Sequence, residues 1–339
     1  MSQLVLVTGG TGFIAGHTIL ALLKAGYRVR ATIRNLERAN NLRKTIEENG
    51  GDVERLFFAE ADLNNDAGWA DAVHGCDGIF HIASPFPLDV PKDPQEIIAP
   101  AVNGTLRVLN AAKEQGIDRI VLTSSLVAVS YGRGGRDELF SEEDWTDPDG
   151  KDVSPYVQSK TLAEKAAWDF VAEHAPGMKL SVINPGVVLG PLLSPSHGTS
   201  VELVRKMMAG EFPGVPHAGF CVVDVRDVAE LHVKAFQSEA AIGERFVCSE
   251  KWMWLRDVGR EVKVQFHDKG RKAPTTELPG FMVRLVSLFD KSVRPVLIEL
   301  DQKRDTDNSK AKTLLDWKPR PAEEAIIATG EGLQKFDLI

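Results

Sequence analysis

Four consecutive apolar residues, Leu4 to Val7, run straight into Thr8-Gly9-Gly10-Thr11-Gly12-Phe13-Ile14-Ala15, and an apolar-periodic stretch follows to residue 25. A short apolar strand, a glycine-rich turn and a helix in immediate succession restrict the fold more than any other feature of the chain. Gly9 permits a tight turn. Gly12 lets backbone N–H groups approach an anion at the helix N-terminus, where the helix adds partial positive charge. The spacing is Gly-x-x-Gly-x-x-Ala, with Ala15 as the small third residue that helix–strand packing needs. Thr11, Phe13 and Ile14 complete the expected dinucleotide-binding turn. Its place between strand and helix separates it from a plain glycine-rich turn.

The alternation continues. Strands are expected at 27–33, 53–59, 77–82, 119–123 and 179–184, and helices at 36–48, 69–73, 97–114 and 156–173. Ile120, Val121 and Leu122 form an unbroken apolar run, which suits a strand buried on both faces. The pattern predicts an α/β, doubly wound parallel sheet of Rossmann type. Beyond Pro185, prolines and glycines crowd residues 185–219 and the rhythm breaks. Helices are expected again at 225–236, 309–317 and 322–333. The expected division is a dinucleotide-binding domain over 1–185, completed by about 217–244 and 306–312, with a smaller, mostly helical substrate lobe from 186–216 and 245–305. Residues 313–339 supply C-terminal helices. No repeat or low-complexity linker parts the lobes, so they are expected to share a cleft.

Charge excludes some partners. The 40 basic and 48 acidic residues leave a net charge of −8, with no global pull toward nucleic acid or anionic lipid. No apolar stretch approaches the about 18 residues of a membrane span. The apolar start lacks the basic residues and the length of a signal peptide, so a cytoplasmic protein is expected. Cys76, Cys221 and Cys248 are widely spaced and form no CxxC pair, which predicts buried free thiols. The eight histidines, among them His17, His74, His81 and His232, show no paired ligand spacing, so no metal is expected.

The end of the second strand discriminates between cofactors. NAD sites place an acid there, for the ribose hydroxyls. Here Ile33-Arg34-Asn35 follows, and no acid appears before Glu37. Arg34 suits a 2′-phosphate, so NADP (as NADPH) is expected, with Arg38 one turn on. Asp62 and Leu63 after the third strand, and Ala83 and Ser84 after the fourth, lie at strand C-terminal ends, where open sheets bind ligands.

Tyr156 and Lys160 stand four residues apart at the start of an expected helix, on one face. A tyrosine ionises near ~10, and a neighbouring ammonium is expected to lower that value toward the working range. Thr123-Ser124-Ser125 closes the fifth strand, where a hydroxyl can steady a developing oxyanion.

Together these segments resemble the extended short-chain dehydrogenases/reductases, and within them the dihydroflavonol-reductase-like and cinnamoyl-CoA-reductase-like branch, part of the NAD-dependent epimerase/dehydratase superfamily. The resemblance is carried by TGGTGFIAGH (8–17), VRATIRN (29–35), FHIASPF (80–86), VNGTLRVLNAA (102–112), VLTSS (121–125), YVQSK (156–160), NPGVVLGP (184–191) and DVRDVAELHVKAF (224–236). It implies Ser125 as the serine of a triad, with Ser124 the alternative, Tyr156 as acid–base and Lys160 as its partner. It also implies that Pro185, Gly186 and Val188 pass the nicotinamide, and that Asn103 stands where relatives often place an asparagine beside the lysine. The implied activity is NADPH-dependent reduction of a small-molecule carbonyl compound, by a monomer or homodimer. Residues 126–129 are apolar where dehydratases carry an Asp-Glu pair. With Phe86, Leu88 and Phe140 they suit lobe core and pocket lining equally; as lining they predict a hydrophobic, aromatic or alkyl, ketone or aldehyde. Two other readings stand: a nucleotide-sugar epimerase or dehydratase with tightly bound NAD, and a non-catalytic NADP-sensing protein on the same fold.

Overall fold

The computed structural model describes residues 2–85, 93–135, 138–196, 198–267, 270–289 and 296–339. Strands and helices alternate through the first half: β1 (Leu4–Val7), α1 (Phe13–Lys24), β2 (Arg28–Ile33), α2 (Ala39–Glu48), β3 (Leu56–Glu60), α3 (Trp69–Val73), β4 (Gly78–His81), α4 (Gln95–Glu114), β5 (Arg119–Thr123), α5 (Pro155–His174) and β6 (Lys179–Pro185). There follow β7 (Val187–Leu189), α6 (Thr199–Ala209), β8 (Val215–Pro216), β9 (Gly219–Asp224), α7 (Val225–Gln237), β10 (Arg245–Cys248), β11 (Lys251–Trp254) and α8 (Leu255–Gln265). The chain continues with β12 (Glu277–Leu278), α9 (Gly280–Phe289), α10 (Ser309–Leu315) and α11 (Ala322–Lys335).

Seven strands form one parallel sheet in the order β10-β6-β5-β4-β1-β2-β3, the expected Rossmann arrangement. β1 lies between β2 and β4, so the winding reverses there and the strand C-termini open a crevice. Alternate residues of β1 serve opposite layers: Val5 and Val7 pack with Ile19 and Leu22 of α1, whereas Leu4 and Leu6 pack with Val108 and Leu109 of α4. β5 is buried along its whole length, as its unbroken apolar run predicts. A smaller lobe is built on the sheet β11-β9-β7, covered by apolar residues of α6, α8 and α11.

Local expectations needed correction in three places. Asn35 accepts a hydrogen bond from Glu37 N and starts a 3-10 turn, so the helix expected from residue 36 begins as α2 at Ala39. Asp52 does the same for the turn Val53–Arg55, which delays β3 to Leu56. Short polar side chains satisfy nearby backbone N–H groups and compete with regular structure. Thirdly, Arg245–Cys248, expected in the smaller lobe, is an edge strand of the main sheet beside β6. A four-residue run carries too little periodicity to name its sheet; the distant pairing decides it.

The three cysteines are free and buried, as expected. Among the described residues no helix is long and apolar enough to cross a membrane, and no group of three or more His, Cys, Asp or Glu side chains is placed to hold a metal. Trp317 ties the C-terminal segment to the sheet: it is buried with Ala311 and Leu315, and its Nε1 donates to Asp227 O at 3.0 Å. Trp317→Ala is expected to cost about 3–5 kcal/mol, measured as a lowered urea midpoint with an unchanged slope.

Candidate active site

The crevice at the sheet's C-terminal edge is a cleft of about 1000 Å³. Its floor is the turn between β1 and α1. Gly9 has φ 68°, and a Cβ on it would stand 2.9 Å from that of Ala83. Gly12 N donates to Gly9 O at 2.8 Å and closes the turn. No side chain caps α1, and its first turn carries no acid. The unpaired N–H groups and the helix dipole therefore favour an anion beside Gly9, Thr11, Gly12, Phe13 and Ile14, all of which line the cleft. Ala15 is buried in the sheet core, so its small size serves packing.

Arg34 lines the cleft at the end of β2 and is solvent-exposed, with no hydrogen bond or ion pair to the described residues. The nearby acid, Glu37, accepts from Asn35 Nδ2 at 3.0 Å. Arg38 is exposed and outside the cleft lining. An uncapped helix N-terminus and an uncommitted guanidinium in one cleft fit a dinucleotide with a third phosphate. Asp62 and Leu63 line the same wall, the turn held by Trp69 Nε1 donating to Asp62 O at 3.1 Å. Ala83 and Ser84 are held by Thr8, whose Oγ1 accepts from Ile82 N and Ala83 N at 3.0 and 2.9 Å. Thr8 Oγ1 also bonds His81 Nδ1 at 2.9 Å. Burial, helped by the charge of Lys160, pushes His81 down to about 3 and keeps it neutral.

Ser154 caps α5 by accepting from Val157 N at 3.3 Å, and Pro155 occupies the first turn. This sets Tyr156 and Lys160 on the cleft side, with Lys160 Nζ 5.9 Å from the tyrosine ring centre. Ser125, in extended backbone after β5, shares a hydrogen bond with the Tyr156 hydroxyl and lines the cleft. Pro185 at the end of β6, Gly186 after it and Val188 of β7 face it. A Cβ on Gly186 would stand 2.3 Å from Cys221 O, which accounts for the glycine.

The expected lowering of Tyr156 is absent. Burial pushes its hydroxyl up to about 12, with the Ser125 hydrogen bond pulling the other way. Burial also brings Lys160 down to about 8. Desolvation is the largest influence on both groups.

Four further expectations are corrected or delimited. Asn103 is exposed on α4 between buried Ala101 and Gly104, outside the cleft lining, because the helix phase turns it outward. Ser124 is committed elsewhere, donating to Glu164 Oε2 at 2.5 Å. Leu126, Val129 and Phe140 are not pocket wall but a buried cluster with Cys221 and Val247. Phe86 and Leu88 lie outside the described residues. The histidines act locally: His17 meets Pro191 O at 2.9 Å, and His232 meets Thr123 Oγ1 at 2.6 Å.

Gly198, Thr199, Ser200 and Val201, not among the expected site residues, bring the start of α6 to the cleft rim. A signal was present: Gly-Thr-Ser precedes apolar residues at 201, 204, 207 and 208, a helix-start pattern hidden among prolines.

The model of the NAD dependent epimerase/dehydratase family matches residues 5–249. A cinnamoyl-CoA reductase of Medicago truncatula is 41% identical over 249 residues, 72% of this chain and 75% of that protein. A dihydroflavonol 4-reductase of Zea mays is 38% identical, over 72% of this chain and 69% of its own length. The structure of the yeast methylglyoxal/isovaleraldehyde reductase Gre2, complexed with NADPH, superposes with a TM-score of 0.82 at 29% identity, covering 99% of each chain. With its strand order, glycine-rich turn and strand-end cleft, the chain thus belongs to the NAD dependent epimerase/dehydratase family, on the branch of the cinnamoyl-CoA and dihydroflavonol reductases.

Proposed function

We propose that this protein is an NADPH-dependent carbonyl reductase acting on ketones or aldehydes with apolar substituents. The observation that carries the reading is the meeting of Ser125, Tyr156 and Lys160 in the cleft that also holds the uncapped N-terminus of α1 and Arg34. The NADPH in the related yeast structure and the reductase names of the plant relatives support it.

NADPH, when bound, supplies a hydride. Arg34 recognises its 2′-phosphate with charge-assisted hydrogen bonds, and the nearest acid in the sequence, Glu37, is engaged by Asn35. Burial keeps Tyr156 protonated at neutral pH, the state required of a group that donates a proton to the carbonyl oxygen. Ser125 hydrogen-bonds the same oxygen as its negative charge develops. The Lys160 ammonium stabilises the phenolate left on Tyr156. Phe13, Pro85, Val188 and Val201 supply an apolar wall for the substituents.

A panel of aromatic and aliphatic carbonyl compounds, followed by NADPH absorbance, tests the reading. Consumption is expected with apolar ketones and aldehydes, and Tyr156→Phe is expected to abolish it. Turnover by that variant at the original rate removes Tyr156 from the mechanism.

Arg34→Ala is expected to weaken NADPH binding by on the order of 10- to 100-fold, the loss of a charge-assisted contact, and NADH binding much less. Equal losses by titration fluorimetry show that Arg34 does not read the phosphate.

The pH profile follows from the lysine. Its ammonium loses a proton as pH rises through about 8, whereas Tyr156 stays protonated to about 12. Reduction is therefore expected to be steady near neutrality and to fall above pH 8. A rate that stays level to pH 10 contradicts a role for the charge on Lys160.

A further inference from the structure

Tyr156, Lys160 and Glu164 recur every fourth residue of α5, so they share one helix face. The first two reach the cleft; the third is buried beneath it, with a side chain fully removed from solvent. The reaction described above makes no use of Glu164. We propose that Glu164 is a positioning residue: its carboxylate, anchored by Arg245, holds Ser124 and Asn184 and thereby sets where Ser125 stands relative to Tyr156. This rests on the reductase reading for its consequence in catalysis, though not for its geometry.

The carboxylate is shared between two tasks. Oε1 accepts from Arg245 Nε at 2.6 Å and from Trp168 Nε1 at 3.4 Å. Oε2 accepts from Ser124 Oγ at 2.5 Å and from Asn184 Nδ2 at 2.8 Å. The same Asn184 amide nitrogen donates to Ser125 O at 3.2 Å. Glu164 thus reaches the serine turn twice, once through the preceding residue and once through the neighbouring strand.

Arg245 holds the other side of the assembly. Its Nη1 donates to Glu142 O at 2.9 Å and Asp144 O at 2.8 Å, and its guanidinium lies 3.7 Å from the Trp145 ring centre. Those residues belong to the segment that leads from Ser125 to α5. One ion pair therefore joins β5, β6, β10, the connecting segment and the helix that bears the tyrosine.

Stability alone is a poor reason for this arrangement. Buried ion pairs are commonly matched or bettered by apolar side chains of similar volume, whereas a directional network fixes geometry. A hydroxyl–hydroxyl hydrogen bond between residues on separate elements is what such fixing would serve, and Ser125–Tyr156 is that bond.

The test compares Glu164→Gln and Ser124→Ala with the wild type. The chain has three tyrosines (Tyr27, Tyr131 and Tyr156), so a protein labelled with [13C-ζ]tyrosine gives three signals, and Tyr156→Phe assigns the third. Both variants are expected to move the Tyr156 signal and to leave the other two in place. kcat is expected to fall on the order of 10- to 100-fold, as for a small misplacement of a reacting group, while KM for NADPH stays unchanged. Should Glu164→Gln fail to fold, Ser124→Ala decides alone, since it leaves the ion pair intact. A folded variant with an unmoved Tyr156 signal and wild-type kcat overturns the proposal. A wild-type protein that reduces nothing in the carbonyl panel overturns the reductase reading only, because the tyrosine signal still decides the geometry.

Discussion

Parallel strands wound outward in two directions from β1 and β4 must leave their C-terminal ends uncovered where the winding reverses. Every candidate functional group depends on that constraint. It puts the N-terminus of α1, the end of β2 with Arg34, and the ends of β5 and β6 around one hollow. Hydrogen bonds between strand ends then fix the rim: Thr8 gathers the turn after β4, and Asn184 reaches the turn after β5. Side chains distant in the chain acquire fixed separations because the sheet beneath them is dry and closely packed.

Desolvation sets the protonation states in this hollow. It raises Tyr156 and lowers Lys160, and outside the lining it holds His81 neutral. A protonated phenol beside a cation suits proton donation to a developing alkoxide. In the proposed reaction the lysine acts on the product of that transfer rather than on the resting tyrosine, which reverses the emphasis that a bare Tyr-x-x-x-Lys spacing suggests.

Much of this was legible in the residues. The turn from Gly9 to Ala15, the arginine where an acid is usual, and the tyrosine–lysine pair all lie within short segments whose chemistry is local. The triad and all the expected cofactor contacts except Arg38 line the cleft. The apolar residues after Ser125 misled: their hydrophobicity is equally that of pocket wall or core, and they pack as core with Phe140 and Cys221. Asn103 misled because a position in a motif does not carry helix phase, and the phase of α4 turns it to solvent.

The order of residues alone determined the strand–turn–helix at the N-terminus, the alternation that makes a parallel sheet, and the set of groups able to bind phosphate or move a proton. These follow from local sterics, hydrophobic period and the intrinsic chemistry of each side chain. Tertiary structure decided that Arg245–Cys248 completes the main sheet, that the start of α6 closes the cleft rim, and that Glu164 meets Arg245 under the serine turn. It also decided the ionisation of Tyr156 and Lys160. Those outcomes depend on contacts between remote segments and on how much water the folded chain excludes, and neither is a property of any short stretch of sequence.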